Sequence, residues 1–411
     1  LEFSMHVHKP DGIVPSLSDG DARSFVDLLQ QGHDTYGRQD MLYVATRGAA
    51  GRPPEHTTRV FADSGYITAR SGWGNGERPF VDEHYLVFDY GPLGEGNHGH
   101  LDCLSFELAA GGRSRVVDPG RYTYSEAGDT NWRVHFRGTA AHNTVTIDGR
   151  NQTRYEPKAV AAGTRHRPGS TRHRIAGPAP RTELLWCEQR GEIVTFCARA
   201  SSAEYDVVHT RCMVVVGTDY VVVLDHLLAQ DEHRYDARFQ LSEEAFGATT
   251  VVEMAAGTRV ESPGLAIVRP VQPGALTTVD AGFVSYRYGH KYAAPVVRTQ
   301  LQARTAWLSH VLLAGEASRN RPRIDIAVVE PEGEATAFGG IVLAIDGGET
   351  RDVLFVNPDA SGRWTAAGAT FAGACALLRT PRGSDARMQL HVRGRERPAS
   401  PPRQEDRKSV V

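Results

Sequence analysis

Three short stretches between Gly96 and Thr144 carry the side chains best suited to chemistry. They are Asn97-His98-Gly99-His100-Leu101-Asp102, Val117-Asp118-Pro119-Gly120 and Ala141-His142-Asn143-Thr144. Read as a strand, the first places His98 and His100 on one face, about 7 Å apart. Asp118 precedes a Pro-Gly turn, a setting that holds a carboxylate at a strand end. His142 opens a β-branched run that continues to Ile147. One or two imidazoles and a carboxylate, drawn from three neighbouring strands, form a ligand set for Zn²⁺ with an open fourth position. Ordinary polar residues at strand ends have the same composition. It is the recurrence in three stretches that points to a site.

A chain of 411 residues is long enough for two or three domains with substantial cores. The formal net charge of −3 gives no general attraction to nucleic acid or to a membrane surface. Arg121, Arg133 and Arg137 crowd the central stretch, so a local preference for anions is compatible with the near-neutral total. The five cysteines show no Cys-x-x-Cys spacing and read as small buried hydrophobes, with a Cys187–Cys197 bridge open to them. No apolar run reaches the roughly 18 residues needed for a transmembrane helix. A homo-oligomer is neither indicated nor opposed.

The elements that must position these residues follow from hydrophobic periodicity. Residues 1–50 are the helical part: Ser18, Asp19 and Asp21 offer N-cap side chains, Phe25, Leu28 and Leu29 repeat at helical spacing, and Gly32 suits a stop. A second helix is expected from Gln39 to Thr46. His6-Val7-His8 is another His-x-His pair, read as structural because no matching Asp and His follow it. Residues 51–56 form a Gly/Pro linker. From Thr57 short strands separated by turn residues predict a large antiparallel β-sandwich, including a hairpin across Gly217-Thr-Asp219. Residues 300–393 hold further strands that suit either the second half of that sandwich or a small β domain. Residues 394–411 read as disordered. Asp406-Arg-Lys-Ser-Val-Val411 looks like a translated sequencing adapter, and the chain opens on Leu1, so a gene fragment truncated at both ends is expected.

His98-x-His100-x-Asp102, the Asp-Pro-Gly eighteen residues after His100, and the Arg-rich approach to His142-Asn143-Thr144 resemble the heparinase II/III-like polysaccharide lyases, which include alginate and heparin lyases. The resemblance covers nearly the whole chain and is most specific over residues 63–150. It implies a mainly β fold, a large β-sandwich (supersandwich) preceded by the last helices of an α/α toroid. It also implies a secreted or periplasmic enzyme that cleaves an anionic, uronate-containing polysaccharide or oligosaccharide by β-elimination. His209, Arg211, Asp225, His226 and Arg238 also match the middle of the family's sandwich and read as packing and register.

β-Elimination requires neutralising the C5 carboxylate, removing the C5 proton and protonating the departing oxygen, tasks suited to amides, imidazoles, arginines and tyrosines. Carried over from the family, His98 is the catalytic or carboxylate-neutralising histidine, with Asn97 as a neighbouring donor and Tyr124 as a further candidate. His100, Asp118 and His142 hold one zinc, structural rather than Lewis-acidic. Arg121, Arg133 and Arg137 are candidates for gripping sugar carboxylates. Asp102 either supports an imidazole from behind or pairs with an arginine. The family's acid/base tyrosine and a second histidine belong to the toroid, and nothing in this chain replaces them. The alternatives are a non-catalytic carbohydrate-binding or structural sandwich that retains the zinc site and, more weakly, a cupin-like metalloenzyme, whose three histidines do not match a set containing Asp118.

Overall fold

The structure, a computed structural model, describes residues 1–74, 78–94, 98–160, 171–315, 324–330, 339–359, 363–383 and 388–392. Asn97 and the tail expected from residue 394 lie outside the described residues. Two valine-rich runs show why the sheets stack as they do. Residues 212–216 and 220–224 are apolar without alternation, the pattern of strands buried on both faces. Met213, Val215, Val221 and Val223 enter one core, while Cys212, Val214, Val216, Val222 and Leu224 enter another. Their sheet is therefore the middle layer of three.

This central sheet has ten strands, all paired antiparallel. Its spine is two long strands, Tyr220–Gln240 and His290–Ala314, paired along most of their length with a slip between Leu228 and His233. On one face lies a five-stranded sheet running from Thr58–Phe61 to Arg113–Val116, whose Ile67, Phe88 and Leu108 pack with Phe196 and Phe239 of the central sheet. On the other lies a second five-stranded sheet, from Asp325–Val328 to Met388–Val392, which contributes Leu343, Leu354 and Leu377. The mainly β sandwich expected from the sequence is present, with this third layer added. Of residues 300–393, those up to Ala314 complete the central sheet, and the described strands from Asp325 onward form the outer one, except Arg363–Ala366 and Ala369–Ala372, which pair with each other as a separate hairpin.

Three helices precede the sheets: α1 (Glu2–His6), α2 (Val26–Tyr36) and α3 (Gln39–Ala45). Their apolar faces meet in a core of Met5, Leu29, Met41 and Val44, completed by Trp73 and Phe80. Gly32 does not end α2. A Cβ there would lie 2.5 Å from Met41 Sδ, so Gly32 is where α3 approaches most closely. The stop is Gly37, in the left-handed region at φ +67°. Among the described residues no helix is long and apolar enough to cross a membrane.

The Cys187–Cys197 bridge that the sequence left open is ruled out by strand register. Cys187 stands opposite Phe196 and packs toward the first core, whereas Cys197 belongs to the second, so the two side chains occupy opposite faces of the sheet. Cys197 stands opposite Cys212 on the next strand, Cα atoms 4.0 Å apart, and bonds to it.

The centre of the sandwich contains a charge cluster. Arg211 is fully buried and donates from Nε and Nη2 to the two Asp225 oxygens at 2.7 and 3.0 Å, while His209 Nε2 meets the same carboxylate at 2.7 Å. Arg211 Nη1 donates to Leu104 O at 2.7 Å and to Asn143 O. These residues act in packing and register, and the two carbonyls tie the flanks of the histidine-bearing segments to the central sheet. Removing the carboxylate leaves a buried guanidinium without its counter-charge. We expect Asp225→Ala to cost about 3–5 kcal/mol, read as a lower urea midpoint at unchanged m-value. A loss below about 1 kcal/mol would place this pair among weak surface contacts instead.

Candidate metal centre and active site

The segment holding His98 and His100 is a loop, not the expected strand. Gly99 packs so closely on Gly94 that a Cβ would meet its backbone N and O at 2.6 Å. In place of a ladder partner, Gly99 O accepts from Arg137, whose Nε lies at 2.9 Å, and Leu101 N–H donates to Arg137 O at 2.9 Å. Strand Phe106–Ala110 begins only after this loop.

Asp118 follows strand Arg113–Val116, and its Oδ1 accepts from Gly120 N–H at 2.8 Å. Gly120 has φ +72°, and a Cβ there would sit 2.0 Å from Ser285 O, so the Pro-Gly turn has room for glycine alone. His142 stands between a 3-10 turn, Thr139–Ala141, and strand Val145–Ile147. The next residue sets its position: Asn143 Nδ2 donates to Phe106 O and Val117 O at 2.8 and 2.9 Å, and Asn143 Oδ1 accepts from Gln240 N–H at 2.6 Å.

These connections bring His100, Asp118 and His142 together, all buried, with potential ligand atoms within 4.8 Å of one another. His142 Nδ1 meets Asp118 Oδ2 at 3.1 Å. Among the described residues, His142 Nε2 and His100 Nδ1 are buried without a hydrogen-bond partner. Two orphaned imidazole nitrogens beside a carboxylate fit the donor set that a zinc ion with three protein ligands needs. Burial holds His100 below the ordinary imidazole range despite its contact with Asp19, which suits a neutral ligand. Burial also opposes charge on His142, but the Asp118 carboxylate, Asp102 and the Phe136 backbone together raise that ring. Asp102 is buried nearby. Its carboxyl is pushed up by burial, an effect that His142 and His100 oppose.

Asp19 links this buried group to the surface. Arg133 donates to its two oxygens at 2.5 and 2.9 Å, His100 Nε2 lies 3.2 Å from Oδ1, and His98 Nδ1 lies 2.9 Å from Oδ2. Burial would raise the Asp19 carboxyl, yet the contacts from His100 and Arg133 hold it well below the usual carboxylate range. His98 itself is outward, its side chain 70% exposed. Its ring meets Tyr124 edge-on at 6.0 Å, and Tyr124 packs on Tyr288. Tyr124 Oη accepts from Arg121 Nη1 at 2.6 Å, while Arg121 Nη2 donates to both Asp21 oxygens at 3.0 Å.

The three arginines are thus unequal. Arg133 and Arg137 lie one turn apart on the short helix α4 (Trp132–Arg137), which Asn131 caps by accepting from Val134 N–H at 3.1 Å. Both are buried and already engaged, Arg133 with Asp19 and Arg137 with Gly99 O and Tyr155 Oη. Of the three candidate sugar grips, these two spend their donors on the site's own frame in this structure, while Arg121, partly exposed, lies nearer the surface. Sequence reasoning missed Asp19, Asp21 and Tyr288. The two acids look like helix caps, but α2 starts at Val26, beyond their reach, and no motif marks Tyr288. Asn131 and the four-residue spacing of the arginines were the available signal for α4.

If Arg137 replaces a ladder partner, Arg137→Gln should free the loop. We expect faster amide hydrogen exchange over residues 98–101 and a loss of about 1–3 kcal/mol, with unchanged protection in the central sheet. Unchanged exchange in the loop would contradict that role.

The profile of the family described as "Heparinase II/III-like, C-terminal" matches residues 53–327, more than half of the 411. A heparin-sulfate lyase of Bacteroides stercoris is 24% identical over 250 residues, 59% of this chain and 32% of that protein. One from Bacteroides thetaiotaomicron is 26% identical over 245 residues, 57% and 31% respectively. A solved heparan sulfate lyase of Pedobacter heparinus superposes with a TM-score of 0.68 at 18% identity, covering 87% of this chain and 52% of that one. A heparinase III structure gives 0.66 at 16% identity, covering 95% and 51%. The match therefore spans about a third of the curated relatives and about half of the solved chains. At these identities the structural likeness concerns the fold. The extent of the profile match decides the family: this chain belongs to the heparinase II/III-like C-terminal family.

Proposed function

We propose that this chain is the sandwich portion of a polysaccharide lyase that cleaves a uronate-containing polymer by β-elimination, leaving an unsaturated sugar end. One observation carries the reading. An exposed imidazole, His98, meets Tyr124, which Arg121 contacts in turn, and is joined through Asp19 to a buried His100–Asp118–His142 group. The heparin-sulfate lyase relatives favour a sulfated uronan among the candidate substrates. Helices α1–α3 are then the tail of a toroid, and the parent enzyme works outside the cytoplasm.

In this reading His98 presents its outer nitrogen to the sugar and takes or gives the proton at C5 or O4. Arg121 neutralises the uronate carboxylate, held in place by Asp21 and offering charge beside the Tyr124 hydroxyl. Asn97 is a neighbouring donor by family likeness. Zinc, when bound by His100, Asp118 and His142, supplies a cross-link between three segments rather than a step of the reaction. The protein's own part is to keep His98 fixed above that cross-link.

The test is the appearance of unsaturated uronate ends on heparan sulfate and on other uronans, with the chain alone and mixed with the helical domain of a relative. Activity is expected in the mixture, and His98→Ala should lower it by roughly 100-fold or more. Sugar binding without turnover in either form would move the chain to the non-catalytic carbohydrate-binding reading.

A further inference from the structure

We propose that Asp19 is a positioning residue that sets the tautomers of His98 and His100 at once. An ionised carboxylate only accepts hydrogen bonds and has about four acceptor positions. All four are taken: each oxygen receives one guanidinium nitrogen of Arg133 and faces one imidazole nitrogen. An acceptor can be satisfied by those imidazole atoms only if they carry the protons. His98 is therefore protonated on Nδ1 and His100 on Nε2, and in the neutral rings His98 Nε2 and His100 Nδ1 keep their lone pairs. The second of these is the buried nitrogen without a hydrogen-bond partner. The first belongs to the exposed ring that faces Tyr124.

Asp19 is itself well held. Gly20 N–H closes a turn on Leu17 O at 2.9 Å, Ala22 N–H donates to Tyr286 O at 2.7 Å, and neighbouring Asp21 is paired with Arg121. The carboxylate is nearly buried, its side chain 5% exposed. One anchored carboxylate behind two imidazoles thus makes one a metal ligand and leaves the other with a bare outward nitrogen. This rests on the lyase reading for the use made of each nitrogen, but not for the protonation pattern.

The pattern is read directly by two-bond ¹H–¹⁵N correlation spectra of the histidine-labelled chain, at a pH where both rings are neutral. The expected result is Nδ1–H on His98 and Nε2–H on His100. In Asp19→Asn both patterns are lost or mixed, and zinc affinity falls roughly 10- to 100-fold. In Arg133→Gln, which loosens the same contact but keeps the carboxylate, the tautomers persist. A mere tether would make the two variants behave alike. Nε2–H on wild-type His98, or unchanged tautomers and zinc affinity in Asp19→Asn, would overturn the proposal, and the wild-type spectrum decides even if the variant does not fold. A wild-type chain with both tautomers but no zinc would defeat the metal reading and leave the role of Asp19 toward His98 standing.

Discussion

A guanidinium cannot stay in a dry protein core unless its charge is matched and its donors are used. Arg211 meets that condition with Asp225 for charge and with the carbonyls of Leu104 and Asn143 for its remaining donor nitrogen. Those carbonyls belong to the segment after the histidine loop and to the residue after His142. The requirement for neutrality at one buried point of the central sheet therefore fixes the distance between two parts of the site. Asn143 extends the same logic, joining Phe106, Val117 and Gln240 and so bringing Asp118 to His142.

The site built on this frame has an inner and an outer half. The inner half is His100, Asp118 and His142, buried and with two nitrogens that no described residue satisfies. The outer half is His98 with Tyr124, Arg121 and Tyr288, open to solvent. Asp19 touches both. In the proposed lyase reading, the exposed His98 is held in place through Asp19 and the buried groups that Asp19 contacts. Two of the arginines here are buried, and both are engaged within the protein: Arg133 with Asp19, and Arg137 with the histidine loop.

Much of this was legible in the sequence, for physical reasons that can be named. Valine-rich runs and regularly spaced turns gave the sandwich, because burial and turn chemistry leave local traces. The three stretches that meet at the site were visible because each pairs a chemically active residue with a turn or a strand start. What escaped depends on contacts distant in sequence. His98 and His100 look like strand residues until Gly99 packs on Gly94. Asp19 looks like a helix cap until it meets residues about eighty positions away. The pairing of Cys197 with Cys212 rather than Cys187 depends on register, which composition does not encode.

If the inner half holds a metal, elemental analysis of the purified chain will find it, comparing the wild type with His142→Ala and His98→Ala. About one zinc per chain is expected in the wild type and in His98→Ala, and none in His142→Ala. A wild-type chain free of zinc after purification and after incubation with it would rule the metal site out, and would leave His100, Asp118 and His142 as a buried polar cluster.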